Sequence, residues 1–247
     1  MEEQQKWNKW KQGRTRFEFN DSEKISLSNE DQFPADSLSA SVKGRIIHKV
    51  LQQNPNSENL AGVIKENISA YINSVNKDEL FEISAVNIEK EMVPFINSDE
   101  YKFLNAFEKY YNEYEVYLKE NNYYLFGIID KLILADGKII IVDYKTDNIA
   151  ESEIEERAKK YHNQLAFYSY ILKSFFVEVN EIEGRIEFIN QPQKPVIFNY
   201  NQNNWQELKT VIKNFIIHLR ENNFNPNLEH CRYCGFFLNK KKCVAIK

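Results

Sequence analysis

The stretch that decides the fold is YYLFGIIDKLILADGKIIIVDYKTD, residues 123–147. It contains two runs rich in β-branched and aromatic residues, Tyr123–Leu134 and Lys138–Tyr144, on either side of Asp136-Gly137. This dipeptide between two strand-like runs is typical of a β-hairpin, because a type I′ turn needs a positive φ at both central residues. The sequence therefore predicts a tight antiparallel hairpin.

A two-residue turn also sets the register of the two strands. Ala135 then faces Lys138, and the same count places Asp130 opposite Asp143 on one sheet face, with Cβ atoms roughly 5 Å apart. Facing carboxylates among apolar residues repel each other and are costly to bury, so we expect a divalent cation with oxygen ligands to neutralise them. Strand alternation predicts the Lys145 ammonium on the same face. The alternative is a buried Asp–Lys ion pair, which leaves the second aspartate without a role.

Length and composition are those of a globular protein. The chain has 247 residues, of which 43% are apolar and 28% charged, and this is enough for one large domain with a core. The net charge of −4 means that any nucleic-acid contact has to come from a local patch. We find no membrane-spanning run, no secretory signal and no G-x-x-x-x-G-K-[ST] loop. We therefore expect a cytoplasmic protein without a membrane partner or a nucleotide-driven motor of its own.

Hydrophobic periodicity predicts an α/β order of elements along the chain. The predicted helices cover residues 37–53, 60–75, 77–88, 101–111, 158–172 and 205–220. The predicted strands cover residues 113–118, 123–134, 138–144, 177–178, 184–189 and 196–200, with a polar loop over 119–122. We expect an N-terminal arm (1–36), a main domain (37–225) and a cysteine-containing tail (226–247).

The two acidic motifs carry a family resemblance. Gly127–Asp130 (GIID) followed by Asp143–Thr146 (DYKT) resembles the G-x-x-D and D-Y-K-T motifs of the PD-(D/E)XK nuclease superfamily, specifically its RecB-like branch. The resemblance runs from about Gly44 to Tyr170. It implies a restriction-endonuclease-like fold, which is a mixed β-sheet flanked by helices with an N-terminal helical segment. It also implies catalytic roles for Asp130, Asp143 and Lys145.

Further positions fit the same family. Gly44–His48 resembles a G-x-x-x-H helix whose histidine ligates the metal, although a histidine beside an apolar stripe is also a common packing residue. Gln164 and Tyr168 resemble a Q-x-x-x-Y motif that orders the lysine and lines the DNA groove. The family carries a glutamate on the strand before G-x-x-D. Glu115 fits that position best, but Glu113 shares its parity, and a solvated strand face is the alternative for both.

The resemblance implies a function. RecB-like nucleases hydrolyse DNA phosphodiester bonds with Mg²⁺ or Mn²⁺, and an imidazole beside carboxylates suits Mn²⁺ as well as Mg²⁺. The closest likeness is to the nuclease domain of UvrD/AddA-like helicase–nucleases, which implies exonuclease action on single-stranded DNA ends in repair and recombination beside a helicase motor. The alternative is a catalytically silent module that binds DNA or a helicase partner. The intact Asp130, Asp143 and Lys145 favour catalysis.

The tail contains all three cysteines of the chain, Cys231, Cys234 and Cys243, and also His230. The C-x-x-C spacing is typical of metal sites. One branch of RecB-like nucleases holds an iron–sulfur cluster with three such cysteines and one upstream, but no cysteine precedes Cys231 here. The resemblance therefore implies an incomplete iron–sulfur site, a zinc site with His230, or a metal-free remnant. A zinc-knuckle interaction module is a third interpretation of the chain, and it leaves the hairpin unexplained.

Overall fold

A computed structural model describes residues 38–69, 77–135 and 137–223. The predicted N-terminal arm (1–36), the turn residue Asp136 and the cysteine tail (226–247) lie outside the described residues. The helices are α1 (Ala40–Gln52), α2 (Leu60–Ser69), α3 (Lys77–Ile96), α4 (Asp99–Asn105), α5 (Ile154–Lys159), α6 (His162–Lys173) and α7 (Gln202–Arg220), with a 3₁₀ turn at Glu151–Glu153. The strands are β1 (Tyr110–Glu120), β2 (Tyr123–Ala135), β3 (Lys138–Lys145), β4 (Glu181–Phe188) and β5 (Val196–Asn201).

The five strands form one mixed sheet in the order β1-β2-β3-β4-β5. Strands β3 and β4 are parallel, and the other neighbouring strands are antiparallel. The parallel pair requires a long crossover, which α5 and α6 supply. The predicted α/β class, a mixed sheet flanked by helices with a helical segment before it, is confirmed.

Helices cover both faces of the sheet and create two cores. Helices α1–α4, here called the N-terminal layer, pack on Ile140, Val142 and Tyr144. Helices α5–α7, the C-terminal layer, pack on Ile139 and Ile141. Because β3 is buried on both faces, its sequence is a continuous apolar run. None of the helices in the described ranges is long and apolar enough to cross a membrane.

Two tight hairpins fix the register of the first three strands. Ala135 pairs with Lys138 as predicted, and Gly137 has a φ of 71°. The second hairpin pairs Glu120 with Tyr123 across Asn121-Asn122, where Asn121 has a φ of 48°. Asparagine tolerates this left-handed conformation better than most residues. The loop predicted over 119–122 is therefore a two-residue turn.

Four predicted elements differ clearly from those observed. The helix predicted over 158–172 is interrupted at Lys160-Tyr161, between α5 and α6. Residues 177–178 form a turn rather than a strand. The helix predicted over 101–111 ends at Asn105, because the aromatic residues from Tyr110 onward belong to β1. Helix α3 continues beyond the predicted end at 88 to Ile96 and includes Pro94. Pro94 lies two residues before the end of the helix, and it removes the backbone hydrogen bond to the Lys90 carbonyl in the turn before it.

Candidate active site

Helix α1 directs His48 toward the sheet. Ser39 caps the helix by accepting a hydrogen bond from the Val42 backbone N–H at 3.3 Å, and the apolar stripe faces the N-terminal core. A Cβ on Gly44 would lie 3.2 Å from Thr146 Oγ1, so the glycine permits a close approach between α1 and the end of β3. With α1 this close to the end of β3, His48 Nδ1 lies 3.3 Å from Asp130 Oδ1.

The register between β1 and β2 brings Glu113 close to His48 and Asp130. Glu113 lies between the pairs Asn112–Lys131 and Tyr114–Ile129, and thus opposite Asp130. Its φ of 49° distorts the strand locally. Ligand atoms of His48, Glu113 and Asp130 all lie within 4.8 Å of one another.

Glu115 does not belong to this group of three. It pairs with Ile128, two positions before Asp130 in β2, and its carboxylate accepts a hydrogen bond from Tyr117 Oη at 3.1 Å. The geometry therefore favours Glu113, the alternative left open by the sequence, over Glu115 as a candidate ligand. The signal that identifies Glu113 is Asn121-Asn122, because treating it as a two-residue turn gives the register that places Glu113 opposite Asp130.

The side-chain alternation of β2 breaks at Asp130. Ile129 and Leu132 both pack in the C-terminal core, although they are three residues apart. Between them, Asp130 and Lys131 both contact the N-terminal layer, Asp130 through His48 and Lys131 through hydrogen bonds to Asn54 and Asn105. Counting by twos along β2 fails at this point.

Asp143 faces the opposite layer. Strand β3 alternates regularly, so Asp143 points toward α6, where Gln164 Nε2 donates a hydrogen bond to its Oδ1 at 2.9 Å. The β2–β3 ladder ends at Lys131–Val142, and the Tyr144 backbone N–H instead donates to Asp130 Oδ2 at 2.8 Å. The predicted pair of carboxylates on one sheet face is therefore wrong. Asp130 and Asp143 approach the end of the ladder from its two faces.

Lys145 and Gln164 complete the site on the C-terminal side. Lys145 Nζ lies 2.5 Å from Asp143 Oδ2 and donates to Gln164 Oε1 at 3.3 Å. Gln164 Nε2 also donates to Tyr168 Oη at 3.0 Å. The structure thus brings together the lysine, one aspartate and both residues of the predicted Q-x-x-x-Y pair.

Gly127 makes room for Tyr168. A Cβ at this position would lie 2.5 Å from Tyr168 Cε1, which no side chain tolerates without a shift of the ring. The tyrosine ring therefore packs directly on the β2 backbone. This close approach gives the glycine of the G-x-x-D motif a physical reason.

The electrostatics of the site follow from burial and from neighbouring carboxylates. Burial lowers the pKa of His48, but its hydrogen bond to Asp130 and the charges of Asp130, Asp143 and Glu113 outweigh this effect and raise the pKa above its ordinary value. Burial and the charge of Asp130 raise the pKa of Asp143 to about 6, against the opposing effect of Lys145. The Asp130 and Asp143 carboxylates repel each other, and a cation between them would relieve this repulsion.

The donor set fits a divalent cation. Asp143 is 2% exposed, and the Lys145 ammonium lies 2.5 Å from its Oδ2. Two carboxylates and one imidazole on the other side offer the oxygen and nitrogen ligands that Mg²⁺ and Mn²⁺ accept.

Three side chains beside the lysine were not anticipated. Lys145 Nζ lies 4.3 Å from the centroid of the Tyr161 ring, and Tyr161 Oη donates to Asp147 Oδ2 at 2.7 Å. Arg157 Nε donates to Asp147 Oδ1 at 3.0 Å. The sequence signal for this group was Asp147, a second carboxylate only two residues after Lys145.

Comparison with known proteins agrees with this geometry. Residues 6–237 match the sequence profile of the PD-(D/E)XK nuclease superfamily. The chain belongs to the PD-(D/E)XK nuclease superfamily. The match covers every strand and helix that contributes to the site, so the resemblance of the GIID and DYKT motifs to this superfamily is confirmed.

Curated relatives are larger proteins. The chain is 28% identical over 172 residues to an ATP-dependent helicase/nuclease subunit of Clostridioides difficile, covering 61% of this chain and 13% of the relative. It is 29% identical over 154 residues to the protein of the same name from Ruminiclostridium cellulolyticum, covering 55% and 12%. The PD-(D/E)XK chain therefore spans about an eighth of the length of these relatives. A solved structure of a proposed exonuclease from Eubacterium rectale aligns over 85% of this chain and 77% of its own, with 15% identity and a TM-score of 0.49.

Proposed function

We propose that the chain is a divalent-metal-dependent deoxyribonuclease that hydrolyses phosphodiester bonds as an exonuclease on single-stranded DNA ends. The observation that carries the proposal is the meeting of two groups at the end of the β2–β3 ladder. One group is His48, Glu113 and Asp130, and the other is Asp143 with Lys145. A structural ion pair accounts for Asp143 with Lys145, but it leaves the neighbouring cluster of His48, Glu113 and Asp130 unexplained.

His48, Glu113, Asp130 and Asp143 would hold the metal ion or ions. A bound Mg²⁺ or Mn²⁺ supplies Lewis acidity toward the scissile phosphate and lowers the pKa of a water ligand. The carboxylates bring the negative charge that retains such an ion. Glu115 has no role in this assignment.

Lys145 acts on the substrate side. Its ammonium donates hydrogen bonds to the attacking water and to the phosphate oxygens, on which negative charge grows in the transition state. Gln164 accepts one proton of the ammonium and donates to Asp143, so it holds both side chains in a fixed relation. Tyr168 fixes the amide of Gln164 from its other side.

The relatives support a wider context for this activity. They are named as helicase/nuclease subunits, and the chain matches only a small part of them. We propose that the nuclease works in the cytoplasm in DNA repair and recombination, beside an ATP-driven motor in the same or another chain. The proposed zinc or incomplete iron–sulfur site at Cys231, Cys234, Cys243 and His230 lies outside the described residues and stays a prediction.

The experiment is incubation with end-labelled single- and double-stranded DNA in Mg²⁺, Mn²⁺ or EDTA, with and without ATP. We expect release of short products from single strands with either metal ion, no cleavage in EDTA and no effect of ATP. Lys145→Met tests the role of the ammonium in the same assay, and Lys102→Met, whose ammonium is exposed on α4, is its matched control.

Two results contradict the proposal. Cleavage in EDTA would exclude the metal mechanism, and cleavage by Lys145→Met at the rate of the parent would exclude the lysine. A chain that leaves all DNA intact, and whose Mn²⁺ titration shows no heat, would instead be the silent binding module.

A further inference from the structure

A chain of polar contacts leads to Lys145 from residues to which the proposed nuclease mechanism assigns no role. Arg157 on α5 contacts Asp147 through two nitrogens, one of them Nε at 3.0 Å from Oδ1. Asp147 accepts a second hydrogen bond on Oδ2 from Tyr161 Oη at 2.7 Å. The Tyr161 ring then contacts Lys145, with Nζ 4.3 Å from its centroid. The contacts thus run Arg157, Asp147, Tyr161, Lys145.

The ring of Tyr161 lies where it can hold an ammonium. The face of an aromatic ring carries partial negative charge and attracts a cation within about 6 Å. Asp143, Gln164 and Tyr161 thus surround the lysine nitrogen with an anion, an amide oxygen and a ring face. A long, flexible side chain needs such partners to keep one rotamer.

Asp147 is a competing anion for the same lysine. Burial works against its charge, but hydrogen bonds from Arg157 and Tyr161, and the charges of Arg157 and Lys145, hold the pKa of Asp147 below its usual range. It therefore stays ionised, two residues from Lys145. Each of its oxygens already accepts from a neighbour, Oδ1 from Arg157 and Oδ2 from the Tyr161 hydroxyl, so Lys145 would have to share either oxygen.

We propose that Tyr161 is a positioning residue for Lys145, and this inference rests on the proposed nuclease function. Its ring closes one side of the ammonium site, and its hydroxyl occupies Asp147 Oδ2. The ammonium consequently stays on Asp143 and Gln164 rather than turning to Asp147. Arg157 holds Asp147 in the position that the hydroxyl requires.

The first test removes only the hydroxyl. In Tyr161→Phe, Asp147 Oδ2 becomes available to Lys145, and we expect kcat for single-stranded DNA to fall about tenfold with KM unchanged. Tyr170→Phe is the matched control, because Tyr170 Oη also donates to a carboxylate, that of Glu120, away from the site. Equal kcat values for Tyr161→Phe and Tyr170→Phe would overturn the proposal.

The second test is a rescue. Adding Asp147→Asn to Tyr161→Phe removes the competing charge, so we expect the double variant to recover most of the lost kcat. A purely structural role for these residues predicts the reverse, because the double variant also weakens the contacts between Arg157 and residue 147. A double variant slower than Tyr161→Phe would contradict the competition.

The third test needs neither DNA nor metal. Protons of the lysine Cε that lie over a ring face resonate upfield, so in ¹³C-lysine-labelled full-length chain we expect an upfield Lys145 signal, assigned by its loss in Lys145→Arg. Tyr161→Leu should return it to the position of the other lysines. An unchanged signal would overturn the proposal even in an active nuclease, and an upfield signal in a chain that cuts no DNA would leave the contact standing while the nuclease function fails.

Discussion

At Asp143, stability and the proposed catalytic role place opposite requirements on the carboxylate. The carboxylate is 2% exposed, and burial together with the charge of Asp130 raises its pKa to about 6. Removing the charge relieves a cost of burial but also removes the anion that faces Lys145. We expect Asp143→Asn to lower the cleavage rate at least about 10³-fold, with little change in the urea midpoint of unfolding. Asp99→Asn, whose carboxylate is exposed on α4, is the control. Retained cleavage in Asp143→Asn would exclude Asp143 from the reaction.

The two glutamates of β1 provide a matched pair. Glu113 lies with His48 and Asp130, whereas Glu115 pairs with Ile128. We expect Glu113→Gln to weaken Mn²⁺ binding at least about tenfold in a calorimetric titration, because one charged ligand becomes neutral, and Glu115→Gln to leave it unchanged. Weaker Mn²⁺ binding in Glu115→Gln, with unchanged binding in Glu113→Gln, would instead assign Glu115 as the metal ligand.

Individual residues also show where prediction from sequence stops. The Asp136-Gly137 turn predicted the pairing of Ala135 with Lys138 correctly, because a two-residue turn leaves one register. It could not predict the faces of Asp130 and Asp143, since the alternation of β2 breaks at Asp130. This break depends on how two helix layers pack on one strand, and that packing is not local in sequence.

Among the strands and helices, close packing of α6 on β2 depends on Gly127. A Cβ there would lie 2.5 Å from the Tyr168 ring, whereas a Cβ on Gly62 of α2 meets nothing within 4 Å. We expect Gly127→Ala to lower the free energy of unfolding by about 1–3 kcal/mol through overpacking. Gly62→Ala should raise it by about 0.5–1 kcal/mol, because alanine favours a helix. Urea denaturation measures both, and equal effects would refute this packing.

Strand β4 carries a buried ion network with a predicted pH dependence. Arg185 contacts Glu100 at 2.5 Å, Glu183 at 2.9 Å and Glu187 at 3.1 Å. Lys138 also contacts Glu183, at 2.7 Å, but two cations do not neutralise three carboxylates. Burial and the charge of Glu100 accordingly raise the pKa of Glu187, which is 1% exposed, to about 8.

The sign of the effect follows from this shift. The folded pKa of Glu187 lies above its ordinary value of 4.5, so its contribution to stability is complete below about pH 4.5 and is lost as the pH rises through about 8. We expect Glu187→Gln to reduce the loss of unfolding free energy between about pH 6 and 9. Glu181→Gln, exposed on the same strand, should keep the parent's dependence. Identical pH profiles for the parent and Glu187→Gln would show that Glu187 is ionised in the fold.

The elements themselves were largely predictable, and their assembly was not. The helices and strands around the hairpin follow from apolar periodicity, because each element buries one face. The Asn121-Asn122 turn was missed because asparagine pairs are a weaker turn signal than Asp-Gly. Strand order, with β3 parallel to β4, depends on contacts between distant segments.

In the molecule as a whole, the site lies where the two helix layers meet at the end of one strand ladder. The N-terminal layer contributes His48, and the C-terminal layer contributes Gln164. The β2–β3 ladder ends before Asp130 and Asp143, so the strands leave the carboxylates at a common edge. A bound ion would link both layers and would stabilise the folded chain increasingly as its concentration rises.

The central claim is that carboxylates from the two sheet faces hold one site for a divalent ion. Anomalous diffraction from a crystal of the chain soaked in Mn²⁺ tests it most directly. We predict a manganese peak within coordination distance of both Asp130 and Asp143, with His48 or Glu113 as a further ligand. A well-ordered site without a peak, or a peak on only one face of the sheet, would contradict the account.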